Sequence, residues 1–147
     1  MKVTQLSVFL ENKPGTLSRP VHLLAQAGLN ILALQLADTQ QFGILRLIVE
    51  DWKAAKKLLQ KEGFVVKVNE LVALEVADAP GGLAGILAVL EKSAVNLEYM
   101  YGFTERHEGK GLLLFRFGEP DRAIAALREQ GIEPVKGVVA TVLKGKR

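Results

Sequence analysis

Asn12-Lys13-Pro14-Gly15-Thr16-Leu17 returns sixty-six residues later as Asp78-Ala79-Pro80-Gly81-Gly82-Leu83, and this echo decides how the chain is organised. The match runs on through Leu24 and Leu90, then through Asn30-Ile31 and Asn96-Leu97. Further along the offset becomes 68, pairing Gly43 with Gly111 and Gly63 with Gly131. Two residues are therefore inserted in the second repeat, and a loop around residues 105–110 is the expected place for them. Repetition at such a period means one supersecondary unit built twice.

Each repeat carries the same pattern. Residues 4–10 alternate, with Leu6, Val8 and Leu10 on one side and Gln5 and Ser7 on the other, which predicts a strand. Leu17, Val21, Leu24 and Gly28, matched by Leu83, Leu87, Leu90 and Ala94, follow at spacings that predict one helical stripe ending on small residues close to the sheet. Pro20 falls within the first turn, where no intrahelical hydrogen bond is lost. Residues 30–37 and 43–49 predict a hairpin, and residues 96–104 and 111–117 its counterpart. A second helix opens on Asp51 as N-cap in one repeat and on Pro120 in the other, and it ends at Gly63 or Gly131. A last strand closes each unit.

The order βαββαβ within about 70 residues is the ferredoxin-like arrangement, an antiparallel sheet with both helices on one face. The expected fold is α+β, with one module over residues 1–68 and a second over 69–147. Residues 64–77 contain neither Gly nor Pro, so the last strand of the first module runs into the first strand of the second and should couple the two rigidly.

Composition narrows the function. The chain has 147 residues, 49% hydrophobic and 24% charged, as expected of a globular protein. It has no cysteine, which excludes disulfides, thiolate metal sites and a cysteine nucleophile, and points to the cytoplasm. The N-terminus lacks the apolar run of a signal peptide and no stretch is long enough to span a bilayer, so no membrane association is expected. Net charge is +3, with Lys144, Lys146 and Arg147 clustered in the tail. Up to Val68 there are nine basic and five acidic side chains, whereas the remainder, without that tail, has seven and eleven, an asymmetry that favours mutual attraction. The basic residues Lys53, Lys56, Lys57 and Lys61 spread over a helix without interleaved aromatics, so nucleic acid is not an expected partner.

Catalytic machinery is not legible. His22 reads as a helix-surface residue and His107 sits in the second hairpin, too scattered for a metal site or a nucleophile pair. Glu50 and Asp51 serve a helix start, and Glu105 and Glu108 flank a hairpin tip. Gly109-Lys110-Gly111-Leu112 leads into a strand, which excludes a phosphate loop. No metal and no cofactor are called for.

What recurs is the Pro-Gly loop, with an Asn opening the next strand. Proline fixes one backbone angle, glycine lets a ligand approach the chain, and free N–H groups at the helix start suit a carboxylate. Asn12, Asn30, Asp78 and Asn96 add oxygens that accept from an ammonium group, so the motif fits a zwitterion. A plain turn with Asx caps uses the same residue types.

With Gly28-Leu-Asn30-Ile31 and the hairpin behind it, the loop resembles the pattern of ACT domains, which sense amino acids, and the resemblance covers nearly the whole chain. Phe42-Gly-Ile-Leu45 and Glu98-Tyr-Met-Tyr-Gly102 extend it to stand-alone tandem-ACT proteins. The resemblance implies a non-catalytic regulatory protein that binds a free amino acid. Its binding residues would be Leu10, Asn12, Pro14, Gly15, Thr16, Leu17, Asn30 and Ile31, then Val76, Asp78, Pro80, Gly81, Gly82, Leu83, Asn96 and Leu97. It further implies composite sites, the loop at 12–17 served by Asn96 and the loop at 78–83 by Asn30, with unequal affinities because Asp78 replaces a neutral Asn. Leu10 and Val76 stand where some serine-sensing members carry histidine, so that specificity does not carry over. Tyr99, Tyr101 and Phe103 suit either a pocket lining or the core. The alternative is a regulatory small subunit of a biosynthetic enzyme such as acetolactate synthase. Self-association, as a homodimer, is also expected: Leu32, Leu34 and Leu36 oppose Ile31 and Ala33, and Leu45 and Leu47 oppose Ile44 and Ile48, leaving both sheet faces apolar while helices cover one.

Overall fold

The alternating residues 4–10 form the middle of strand β1 (Lys2–Glu11), which is followed by α1 (Ser18–Gln26), β2 (Ile31–Asp38), β3 (Phe42–Val49), α2 (Trp52–Lys61) and β4 (Val65–Ala77). The second repeat continues with α3 (Gly82–Lys92), β5 (Leu97–His107), β6 (Lys110–Phe117) and α4 (Pro120–Glu129). The structure is a computed structural model and describes residues 2–107 and 109–137. The closing strand expected of the second repeat, and the basic tail, lie outside the described residues.

Two compact units result, one of residues 4–69 and one of residues 70–137 together with Lys2 and Val3. In the first the strand order is β2-β3-β1-β4, the order of a ferredoxin-like sheet, with Leu6 opposite Leu47 and Leu34 opposite that same Leu47. In the second it is β4-β6-β5, with Phe115 facing Val72 on one side and Met100 on the other. The β1–β3, β2–β3, β4–β6 and β5–β6 pairings are antiparallel. The uninterrupted run at 65–77 is a single thirteen-residue strand.

Each unit has its own core. Leu6, Val8 and Leu10 of β1 pack with Leu45 and Leu47 against Leu24 of α1 and Ala55 and Leu59 of α2, so both helices cover one face. Val72, Leu74 and Val76 pack likewise with Phe115 and Phe117 against Ile86, Leu90 and Leu127. Asp51 caps α2 by accepting from the Ala54 N–H at 3.0 Å, and Pro120 opens α4, as their positions predict.

Four expectations are corrected. The helical stripe is shifted: Leu24 and Leu90 are buried, but Val21 and Leu87 are exposed, while Pro20 and Ile86 point inward instead. Gly28 and Ala94 do not end their helices for want of space, since a Cβ on Gly28 meets nothing within 4 Å; they end them by taking positive φ, 68° and 51°. A bulge between Ile31 and Ala33 moves Ile31 to the helix side together with Leu34 and Leu36. The two inserted residues do not enlarge the loop; they enter β5 as an irregularity between Gly102 and Arg106, and the hairpin grows longer.

The sheet face of residues 4–69 that lies away from the helices is also buried at its centre, where Ile48 and Ala33 lie beside Gln5 and Ser7. Gln5 donates to the Ser7 hydroxyl at 2.9 Å, and that hydroxyl donates to Asn69 Oδ1 at 2.7 Å. This satisfies polar groups that would otherwise be costly to bury. Leu34 and Leu36 remain exposed on the edge strand.

Ala94 holds a left-handed conformation that glycine adopts freely. Ala94→Gly is expected to raise unfolding stability by about 0.5–1 kcal/mol, the relief of strain outweighing the freer unfolded chain. A urea midpoint that rises with unchanged slope verifies this; a lower midpoint contradicts it.

Candidate functional site

Both Pro-Gly loops are docked on the hairpin of their own unit by the same hydrogen bond. Asn12 N–H donates to Gln41 O at 3.0 Å, and Asp78 N–H donates to Gly109 O at 2.9 Å, equivalent positions once the insertion is counted. Gly15 and Gly81 then turn the chain with φ of 83° and 89°, which an L side chain rarely adopts. Thr16 N–H and Gly82 N–H each reach back three residues, to Lys13 O and Ala79 O.

Local sequence makes the loops diverge from there. The Thr16 hydroxyl lies 2.6 Å from Glu11 O and 2.9 Å from Lys13 O, holding two residues out of the helix before α1 begins at Ser18. Its counterpart Gly82 is already the first residue of α3 and presses against the end of β4: a Cβ there would lie 2.1 Å from Ala77 O. Neither α1 nor α3 has a side-chain cap, so apart from the Gly82 N–H, which is taken by Ala79 O, no capping side chain competes with an anion for the first-turn N–H groups.

A cleft opens at each loop. The first, about 500 Å³, is lined by Phe9, Leu10, Glu11, Pro14, Gly15, Thr16, Arg19 and Phe64. The second, about 400 Å³, is lined by Val76, Ala77, Asp78, Ala79, Pro80, Leu83, Gly111 and Leu113. Both are of a size for a small ligand, apolar at the strand and polar at the loop.

Of the residues expected from sequence, the structure brings Leu10, Pro14, Gly15 and Thr16 together at one cleft, and Val76, Asp78, Pro80 and Leu83 at the other. Asn12 stands just outside the wall, its side-chain amide donating to Gln40 O at 3.0 Å. Gly81 and Gly82 shape their loop without lining the cleft, and Leu17 is the exposed N-cap of α1. Ile31 and Leu97 pack against the two cores. Asn30 and Asn96 are exposed just before β2 and β5, and neither lines the cleft of its own unit. Tyr101 is buried opposite Leu114, and Tyr99 is half-buried.

Arg19 and Phe64 were not singled out from the sequence. Their signal was contrast between repeats: Gly85 and Ile132 occupy the equivalent positions. His22 is a helix-surface residue, its Nδ1 2.9 Å from Ser18 O. Among the described residues no group of His, Cys, Asp or Glu could hold a metal ion, and no helix is long and apolar enough to cross a membrane.

Residues 1–138 match the family model described as an ACT domain pair. The crystal structure of a protein from Bacteroides thetaiotaomicron is 36% identical and superimposes with a TM-score of 0.85, covering 92% of each chain. The ligand-free regulatory subunit of aspartate kinase from Thermus thermophilus shares the fold, with a TM-score of 0.62 over 86% of this chain and 91% of that one at 13% identity. The acetolactate synthase small subunit of Buchnera aphidicola subsp. Baizongia pistaciae is 36% identical over 77 residues, 48% of this chain and 48% of that protein. The chain thus spans about half the length of this curated relative.

Proposed function

Since the chain belongs to the ACT domain pair family, we propose that it is a non-catalytic regulatory protein that binds a free amino acid at its two Pro-Gly clefts. The observation that carries this reading is the duplicated loop: in both units the same N–H is docked on the hairpin, the same glycine turns with positive φ, and an uncapped helix start borders a cleft. Backbone N–H groups there would receive the ligand's carboxylate, with Asp78 as an acceptor for its ammonium at the second cleft. The first module would comprise residues 1–68 and the second residues 69–147. A thermal-shift screen of the twenty amino acids tests the reading. A ligand present at a hundred times its Kd adds about 2.7 kcal/mol to apparent stability. Stabilisation by one or a few amino acids supports it, and no response to any of them rejects it.

A second reading, a regulatory small subunit of acetolactate synthase, is favoured by the 77-residue likeness to such a subunit. Association with a catalytic partner under copurification would support it. Self-association is part of the same proposal, supported by Leu34 and Leu36, about half exposed on the edge strand β2. Light scattering is expected to give twice the 16.0 kDa of one chain. A clean monomer at micromolar concentration removes the homodimer.

A further inference from the structure

The two clefts differ most in charge. Arg19 lies on the wall of the first, and its guanidinium is laid over the Phe64 ring at 4.9 Å. Its Nη2 donates to Glu62 O, the carbonyl at the end of α2, at 2.9 Å, and the Glu62 carboxylate stands at 3.7 Å. One end of the fork is thus anchored and its plane is fixed by stacking, which removes much of the rotamer freedom that a ligand contact would otherwise cost. Among the described residues, Arg19 Nε and Nη1 make no hydrogen bond. The acid on this wall, Glu11, forms an ion pair with Lys13, so its charge is balanced.

The second cleft lacks this arrangement. Gly85 stands at the position of Arg19, with open space where a Cβ would be, and Ile132 stands at the position of Phe64. Its charged wall residue is Asp78. The first cleft therefore carries a guanidinium, itself 3.7 Å from the Glu62 carboxylate, where the second carries Asp78.

We infer that Arg19 makes the first cleft selective for an amino acid whose side chain carries a second carboxylate; the inference rests on the amino-acid-binding reading above. The loop N–H groups are shared by both clefts and cannot discriminate between side chains. The stacked guanidinium is what distinguishes them, and a planar fork matches a carboxylate with two parallel hydrogen bonds. The Arg19 side chain is 60% exposed, so water and salt screen the contact and its effect is moderate.

Calorimetric titration of the full chain with aspartate, glutamate, asparagine and glutamine tests this. For the parent at low salt the acids are expected to bind about five- to tenfold more tightly than their amides, the range of a partly exposed charge-assisted pair. Arg19→Gln should abolish that preference. Arg19→Lys should retain part of it, and Phe64→Leu, which removes the stacking surface, should reduce it. Circular dichroism establishes that each variant is folded. Equal binding of acid and amide by the parent, or a preference that survives in Arg19→Gln, overturns the inference. Binding of some other amino acid with none of these four overturns it while leaving the amino-acid reading intact. If no amino acid binds at all, the reading falls and the inference with it.

Discussion

Gly82→Ala is expected to destabilise the unit of residues 70–137 by about 3 kcal/mol, the upper end of overpacking costs, because its new methyl group would lie 2.1 Å from Ala77 O. Backbone surrounds this position, so no flexible side chain can give way. Either the start of α3 must lift from β4 or the strand end must move, and both movements distort the loop of Asp78 and Pro80. The equivalent change in the other repeat is mild. Thr16 already carries a Cβ, so Thr16→Ala loses only the hydroxyl contacts to Glu11 O and Lys13 O, about 1 kcal/mol. Urea denaturation of the two variants measures the contrast. Equal, small losses for both would mean that the close approach at Gly82 is not what places the helix.

Asp78→Ala is expected to weaken the amino acid held at the second cleft by about three- to tenfold, because Asp78 is exposed and water screens its contact with the ligand's ammonium. Asp78→Asn, which keeps the shape but not the charge, should fall between the two. The backbone anchor, the Asp78 N–H on Gly109 O, survives in both variants. Calorimetric titration with the best ligand from the screen gives the affinities. Binding unchanged in both variants would reduce Asp78 to a turn residue with no part in the ligand contact.

Much of the fold was legible because two repeats constrain each other. Period-two alternation at Leu6, Val8 and Leu10, the Asp51 cap and the helix-end glycines Gly63 and Gly131 all appear where local chemistry places them. What failed to show was register. A bulge at Ile31 puts it on the same face as Leu34 and Leu36 instead of opposite them, and neither it nor the insertion between Gly102 and Arg106 carries a residue type that announces it. The helical stripe slipped because Val21 and Leu87 are as apolar as the residues that are buried; hydrophobicity alone does not say which of two adjacent faces meets a sheet.

The clefts were legible at their loops, where Pro14, Gly15, Pro80 and Asp78 have conformational or charge signatures. Their far walls were not. Phe64 reaches the first cleft from just before β4 and Gly111 the second from β6, contacts between elements distant in the chain. Arg19 looked like any polar residue in a first helical turn until its ring contact with Phe64 and its bond to Glu62 O were in view.

The most direct test of amino-acid binding at the Pro-Gly loops is a backbone amide NMR titration with the amino acid that gives the largest thermal shift. The N–H signals of Gly15, Thr16, Gly81 and Gly82, in the loops that lead into α1 and α3, are expected to move most and to saturate together with the thermal response. Perturbations that saturate elsewhere, with these four amides unmoved, would contradict the account.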